Sequence, residues 1–136
     1  MSDKTFNLEI VTPRKIAYSG RVLSFSAPGV VGGFQVLYNH APLLSNITIG
    51  EVKIIDAQEK ESHYATSGGF VEVHENKVIM LAETVERTDE IDTNRAQEAR
   101  DRAQKLIADK RVEIDLERAK VALQRAINRL KVAGRN

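Results

Sequence analysis

All three prolines and seven of the eight glycines of this 136-residue chain fall before residue 70, and between residues 90 and 133 there is neither. Proline fixes φ and removes a backbone donor, while glycine opens the left-handed region, so both mark turns and are kept out of helix interiors. One chain therefore carries two architectures. The first part reads as short segments joined by frequent turns, and the second as long uninterrupted ones.

Before the break, the apolar residues recur with period two. Phe6, Leu8 and Ile10 alternate with Asn7, Glu9 and Val11 up to the turn at Thr12-Pro13. A weaker alternation over 22–26 is expected to stop at Ala27-Pro28-Gly29, and further runs cover 51–56, 63–66, 70–73 and 77–82. Many short strands with closely spaced turns predict a β-sandwich or barrel rather than βαβ units. Glu75-Asn76 separates two strong runs and predicts a hairpin over 69–82; without glycine there, the turn type stays open.

After the break the composition shifts to Ala, Arg, Glu, Gln, Lys and Leu, all good helix formers. Ala96, Ala99, Ala103, Leu106 and Ile107 form one stripe at helical spacing. Asp92 suits the N-cap, where a carboxylate accepts free backbone N–H bonds and meets the positive end of the helix dipole. A second stripe runs through Ile114 or Leu116, Ala119, Ala122/Leu123, Ala126/Ile127 and Leu130, with Asp109-Lys110-Arg111 as the expected turn. The fold class is α+β, with a β-domain over 1–87 followed by an antiparallel two-helix hairpin over 88–136. Both stripes are thin and rich in alanine, so the hairpin is weakly held and able to open into one long helix.

Enzyme signatures are sparse. With no cysteine there is no thiolate nucleophile, disulfide or thiolate metal site, which fits a reducing compartment. His40, His63 and His74 lack metal-ligand spacing, and His63 and His74 are expected to point outward from strands. The glycines of 28–33 are not followed by Lys-Ser/Thr, so they shape a turn rather than a phosphate loop. No Gly-x-Ser-x-Gly occurs. No stretch approaches the roughly 20 apolar residues of a membrane span, and the first fifteen residues lack a signal or transit pattern. The expectation is a non-catalytic chain with no metal and no required cofactor.

Charge is distributed unevenly. Residues 1–87 carry 8 basic and 10 acidic side chains, whereas 88–136 carry 12 and 9. From residue 118 onward Arg118, Lys120, Arg125, Arg129, Lys131 and Arg135 stand with no acidic side chain among them. This stretch is either a solvated face or a dock for an acidic protein patch. The lack of interleaved aromatics disfavours nucleic acid and a membrane surface. A second constellation opens the first helix. Arg95 and Arg102 are seven residues apart and project from one face, where their guanidiniums could hold a polyphosphate with Glu86 and Asp92 bonding a nucleoside. An N-cap plus surface pairs, including Glu98 with Arg102, accounts for the same residues.

Several segments, in order along essentially the whole chain, resemble the F-type ATP synthase epsilon family of bacteria and plastids. They are Leu8-Glu9-Ile10-Val11-Thr12-Pro13 with Tyr18-Ser19-Gly20, Asn39-His40-Ala41-Pro42-Leu43-Leu44, and Ser67-Gly68-Gly69-Phe70-Val71-Glu72-Val73. Ile91-Asp92-x-x-Arg95-Ala96 and 122–130 complete the set. The resemblance implies a ten-stranded β-sandwich that binds the gamma subunit and the c-ring, with His40 on that side, coupling proton translocation to ATP synthesis as part of the rotor. It implies that the hairpin can rise, setting Arg118, Lys120, Arg125, Arg129 and Lys131 against acidic segments of beta subunits in the alpha/beta head and inhibiting ATP hydrolysis. It also implies a regulatory ATP site at Glu86, Asp92, Arg95 and Arg102. The location implied is peripheral, on the cytoplasmic face of the bacterial inner (plasma) membrane. One region departs from the family pattern Gly-x-x-Gly-Ile-Leu-Pro-x-His: an acidic residue often found there is replaced by Gly33, and Tyr38 stands at the proline. A stand-alone ATP-sensing module and a generic adaptor for an acidic protein are the competing readings.

Overall fold

The computed structural model describes residues 4–109 and 113–134, with side chains of the second helix described from Leu116 onward. Lys110 and Arg111 of the expected turn, the side chain of Ile114, and Arg135 lie outside the described residues. The chain divides into two compact units, 1–87 and 88–136.

The first unit holds nine strands among the described residues: β1 (Phe6–Val11), β2 (Ile16–Gly29), β3 (Gly32–Val36), β4 (Leu43–Ile47), β5 (Gly50–Asp56), β6 (Glu61–Thr66), β7 (Gly69–His74), β8 (Lys77–Ala82) and β9 (Val85–Arg87). The sandwich expected from the sequence is present, with one strand fewer than ten. The runs around Tyr18 and over 22–26 are a single 14-residue strand, β2. Its first part pairs with β1, from Val11–Ile16 to Phe6–Val22, and its second part pairs with β5 and β3. A register irregularity between Val22 and Ser24 lets it bend from one layer into the other.

The expected stop at Ala27-Pro28-Gly29 is also corrected, since β2 continues to Gly29. The Gly29–Gly32 pair closes a two-residue turn, so Pro28 falls opposite Gly33 at a non-hydrogen-bonded pair. There the ladder needs no donor from proline.

The hydrogen-bonded order is β1-β8-β7-β4-β2-β5-β6-β9 with β3 on β2, and every pairing is antiparallel except β1 with β8. Period-two alternation drives Phe6, Leu8, Ile10, Phe25, Val52, Ile54, Val71, Val73, Val78 and Met80 into one core. Each large apolar side chain buried there contributes about 1.5–3 kcal/mol relative to exposure. The 69–82 hairpin closes as expected. Its turn type is settled by Glu75 (φ 48) and Asn76 (φ 60), both left-handed as a type I′ turn requires, with asparagine tolerating the position that glycine usually fills.

The second unit opens with a 3-10 turn at Thr88–Glu90, followed by α1 (Thr93–Asp109) and α2 (Glu113–Ala133). Residues 110–112 join two helices that pack on each other, so they run antiparallel. Ala96, Ala103, Ala119 and Ala126 are all buried. Leu106 and Ile127 do not join them: they are 49% and 48% exposed, because each lies at the edge of its stripe rather than its centre.

Candidate functional site

The outer face of the sandwich carries an apolar row that only the register reveals. Cross-strand pairing sets Phe70 beside Leu81, Leu81 beside Val11, and Val11 beside Ile16. These side chains alternate with the buried Val71, Met80 and Ile10, so they face outward. Phe70, Leu81 and Ile16 are 38%, 53% and 60% exposed, and Leu44, paired with Glu72, is 65% exposed. A contiguous exposed apolar surface of this kind marks an interaction site. The sequence shows the outward apolar residues and the local hairpins, but the adjacency of Leu81 and Val11, which joins the row across four strands, depends on the β1–β8 pairing that no local signal encodes.

At one end of the sandwich, His40 lies in the 37–42 loop between β3 and β4. Its Nδ1 lies 2.7 Å from the Ala41 carbonyl, to which it donates in the tautomer carrying that proton. Leu37 and Tyr38 beside it are exposed. The loop is tied to the β7–β8 turn: the Asn39 N–H donates to Asn76 Oδ1 at 2.7 Å, and Asn76 Nδ2 donates back to Asn39 Oδ1 at 2.9 Å. Gly33 lies elsewhere, beside the β2–β3 turn whose tip presents the exposed Val30 and Val31.

His63 does point outward from β6, but it is engaged. Its ring nitrogens lie 3.0 Å from Glu51 and 2.7 Å from Glu61, whose carboxylates accept from whichever nitrogen carries a proton. That bond, with Lys53 at 3.6 Å from Glu61 adding to it, holds the Glu61 carboxyl below the usual glutamate range. His74 is well exposed, near Glu75.

In the helical unit Asp92 is the N-cap: its Oδ1 accepts the Arg95 N–H at 3.1 Å and its carbonyl accepts the Ala96 N–H at 3.0 Å. Arg95 and Arg102 are both exposed on one face of α1, and among the described residues neither forms an ion pair, including the expected one between Arg102 and Glu98. Glu86 belongs to the other unit, on β9 opposite Ala65. The α2 cations divide between two flanks. At about 3.6 residues per turn, Arg118, Arg125 and Arg129 line up on one side, and Lys120 and Lys131 on the other. Arg118 and Arg125 are exposed, Arg129 is half-buried and engaged, and Lys120 pairs with Glu117 at 3.6 Å.

Two family models match the chain in tandem, dividing it where the strands give way to helices. "ATP synthase, Delta/Epsilon chain, beta-sandwich domain" covers residues 5–88, and "ATP synthase, Delta/Epsilon chain, long alpha-helix domain" covers 89–134. The chain belongs to the ATP synthase delta/epsilon family. Among its relatives, the ATP synthase epsilon chain of Nitratidesulfovibrio vulgaris (strain DP4) is 46% identical over 132 residues, 97% of this chain and 98% of that one. The epsilon chain of Moorella thermoacetica is 41% identical, over 96% and 97% of the two. The fold matches a chain of the Euglena gracilis mitochondrial ATP synthase, solved with OSCP, F1 and c-ring, at TM-score 0.80 and 19% identity, covering 89% of this chain and 76% of that one. It also matches a chain of the Tetrahymena thermophila mitochondrial ATP synthase central stalk and c-ring at TM-score 0.69 and 16% identity, over 93% and 95%.

Within this delta/epsilon fold, the Ser67-Gly68-Gly69-Phe70 segment has a steric explanation. Gly68 sits at φ +113, and a Cβ at Gly69 would run into the Leu81 carbonyl oxygen. The glycines let β7 leave its turn pressed against β8, which places Phe70 beside Leu81 in the exposed row.

Proposed function

We propose that the chain acts as the epsilon subunit of an F-type ATP synthase: a non-catalytic part of the central-stalk rotor that couples proton translocation to ATP synthesis and restrains ATP hydrolysis. The observation that carries this reading is the exposed Phe70–Leu81–Val11–Ile16 row on a sandwich of the delta/epsilon family. Such a row is unfavourable in water and calls for a constant partner, and we assign it to the gamma subunit. The loops at the ends of the sandwich, including His40, then reach toward the c-ring. The cationic flanks of α2 serve as the inhibitory surface, docking on acidic segments of the beta subunits in the alpha/beta head. The chain works as a peripheral subunit on the cytoplasmic face of the bacterial inner membrane; no helix among the described residues is long and apolar enough to cross a membrane.

Co-purification tests the assignment. A stoichiometric complex with gamma is expected, and it should be lost in Leu81→Glu, which places a charge in the row. A Leu81→Glu chain that binds gamma as tightly as wild type would overturn the assigned face. Removing residues 88–136 should raise the ATPase activity of the assembled enzyme, and high salt should do so with the full chain, because docking of exposed cations is screened. Unchanged activity in both cases would remove the inhibitory role.

A second reading concerns ATP as a regulatory ligand, supported by two exposed α1 guanidiniums that have no carboxylate partner among the described residues. Asp92, committed to its cap, orients the helix end. Calorimetry on the full chain and on Arg95→Ala decides it: no heat at millimolar ATP eliminates the site.

A further inference from the structure

Residues 37–42 lie outside the strand ladders on either side of them. The ties that cross from this loop to the rest of the sandwich are, among the described residues, both made by Asn39 to Asn76. Asn76 is itself anchored, because its carbonyl accepts the Asn7 N–H at 3.0 Å. A connected path therefore runs from the first core strand through the β7–β8 turn to the loop that carries the exposed Leu37 and Tyr38 and the half-buried His40. Its two asparagines are 37 positions apart, and both occupy the left-handed region, at φ 63 and φ 60. Asparagine adopts that region more readily than other residues with a side chain. Glycine would accept the same backbone but offers no side chain with which to bridge the two turns.

We infer that Asn39 and Asn76 form a side-chain clamp that presets the 37–42 loop for docking on the rotor assembly. This rests on the reading above that the loop is a partner contact. An untethered six-residue loop would lose conformational freedom on binding, and the clamp removes part of that loss before the partner arrives. Asn39 and Asn76 are positioning residues. Tyr38 and His40 make the contact.

Glycine variants isolate the clamp, because they keep both φ angles and delete only the side chains. Asn76→Gly removes both bonds, whereas Asn39→Gly removes one. Full-length chains would be titrated onto ATP synthase stripped of this subunit, with Tyr38→Ala as a reporter of loop contact. Asn76→Gly should weaken association about tenfold, as loss of a reciprocal amide pair predicts. Asn39→Gly should weaken it less, and the double variant no more than Asn76→Gly. Amide exchange should quicken at residues 37–41 with the rest of the sandwich unaltered. If Asn76→Gly binds like wild type while Tyr38→Ala binds more weakly, the clamp is refuted and the contact survives. If neither variant changes binding, the loop is not a contact and the clamp falls with it. Exchange that quickens throughout the strands would mark a general structural role and also overturn the proposal.

Discussion

A Cβ added at Gly69 would meet the Leu81 carbonyl oxygen and the Ala82 Cα, both backbone atoms that cannot swing aside. Gly69→Ala must push β7 away from β8, and overpacking of this kind destabilises by about 1–3 kcal/mol or more. Urea denaturation of the full chain should show a lower midpoint, and the displaced Phe70 should weaken gamma binding in parallel. Glu61 illustrates a gentler effect. Its carboxyl is held below the usual range by the bond from His63, so the native state favours its ionised form. The stability this supplies is present above the ordinary glutamate value and is lost as pH falls through the lowered native value. Wild type should therefore exceed Glu61→Gln at neutral pH, by a margin that added salt shrinks, and the two should converge in acid. A gap that widened on acidification would contradict the assignment. Neither effect is visible in sequence. Gly69 reads there as one more turn glycine, and His63 as one more surface histidine.

Among the elements, the helices are the less securely packed. Apart from Val132, the buried positions within the two helices are alanines among the described residues, each with little apolar area to remove from water, while the larger Leu106 and Ile127 remain half exposed. Ala103 is 2% exposed and Ala126 likewise, so neither has room for a longer side chain. Ala103→Leu should cost about 1–3 kcal/mol by overpacking. Hydrogen exchange should locate that loss in residues 93–133 and leave β1–β9 protected. The sequence showed both stripes and the Asp92 cap, since 3.6-residue periodicity and capping chemistry are local. It did not show that Leu106 and Ile127 fall outside the packed stripe, because a thin stripe leaves several rotations of a helix nearly equivalent until a neighbour selects one. The strands err differently. Pro28 looks like a terminator until its place opposite Gly33 shows that no donor is needed there.

At the scale of the whole chain, the two units have separate internal packing, and the large apolar side chains of the sandwich core all come from residues 6–85. Residues 1–87 alone should fold cooperatively, with circular dichroism and fluorescence melting together, and should retain gamma binding while losing ATPase inhibition. A fragment that is unfolded or fails to bind gamma would contradict this division of labour.

The sequence by itself determined that this is a strand-rich domain followed by a helical hairpin, where the boundary falls, and which alternating residues face a core. Those features follow from short-range chemistry: period two against 3.6, proline and glycine against alanine and arginine. It also carried the family resemblance, spread over many weak motifs. Tertiary structure decided the rest. The Leu81–Val11 step of the Phe70–Leu81–Val11–Ile16 row and the Asn39–Asn76 bridge join residues far apart in the chain. Their adjacency is set by strand register and the parallel β1–β8 pairing, and these depend on how the entire core closes rather than on any segment alone.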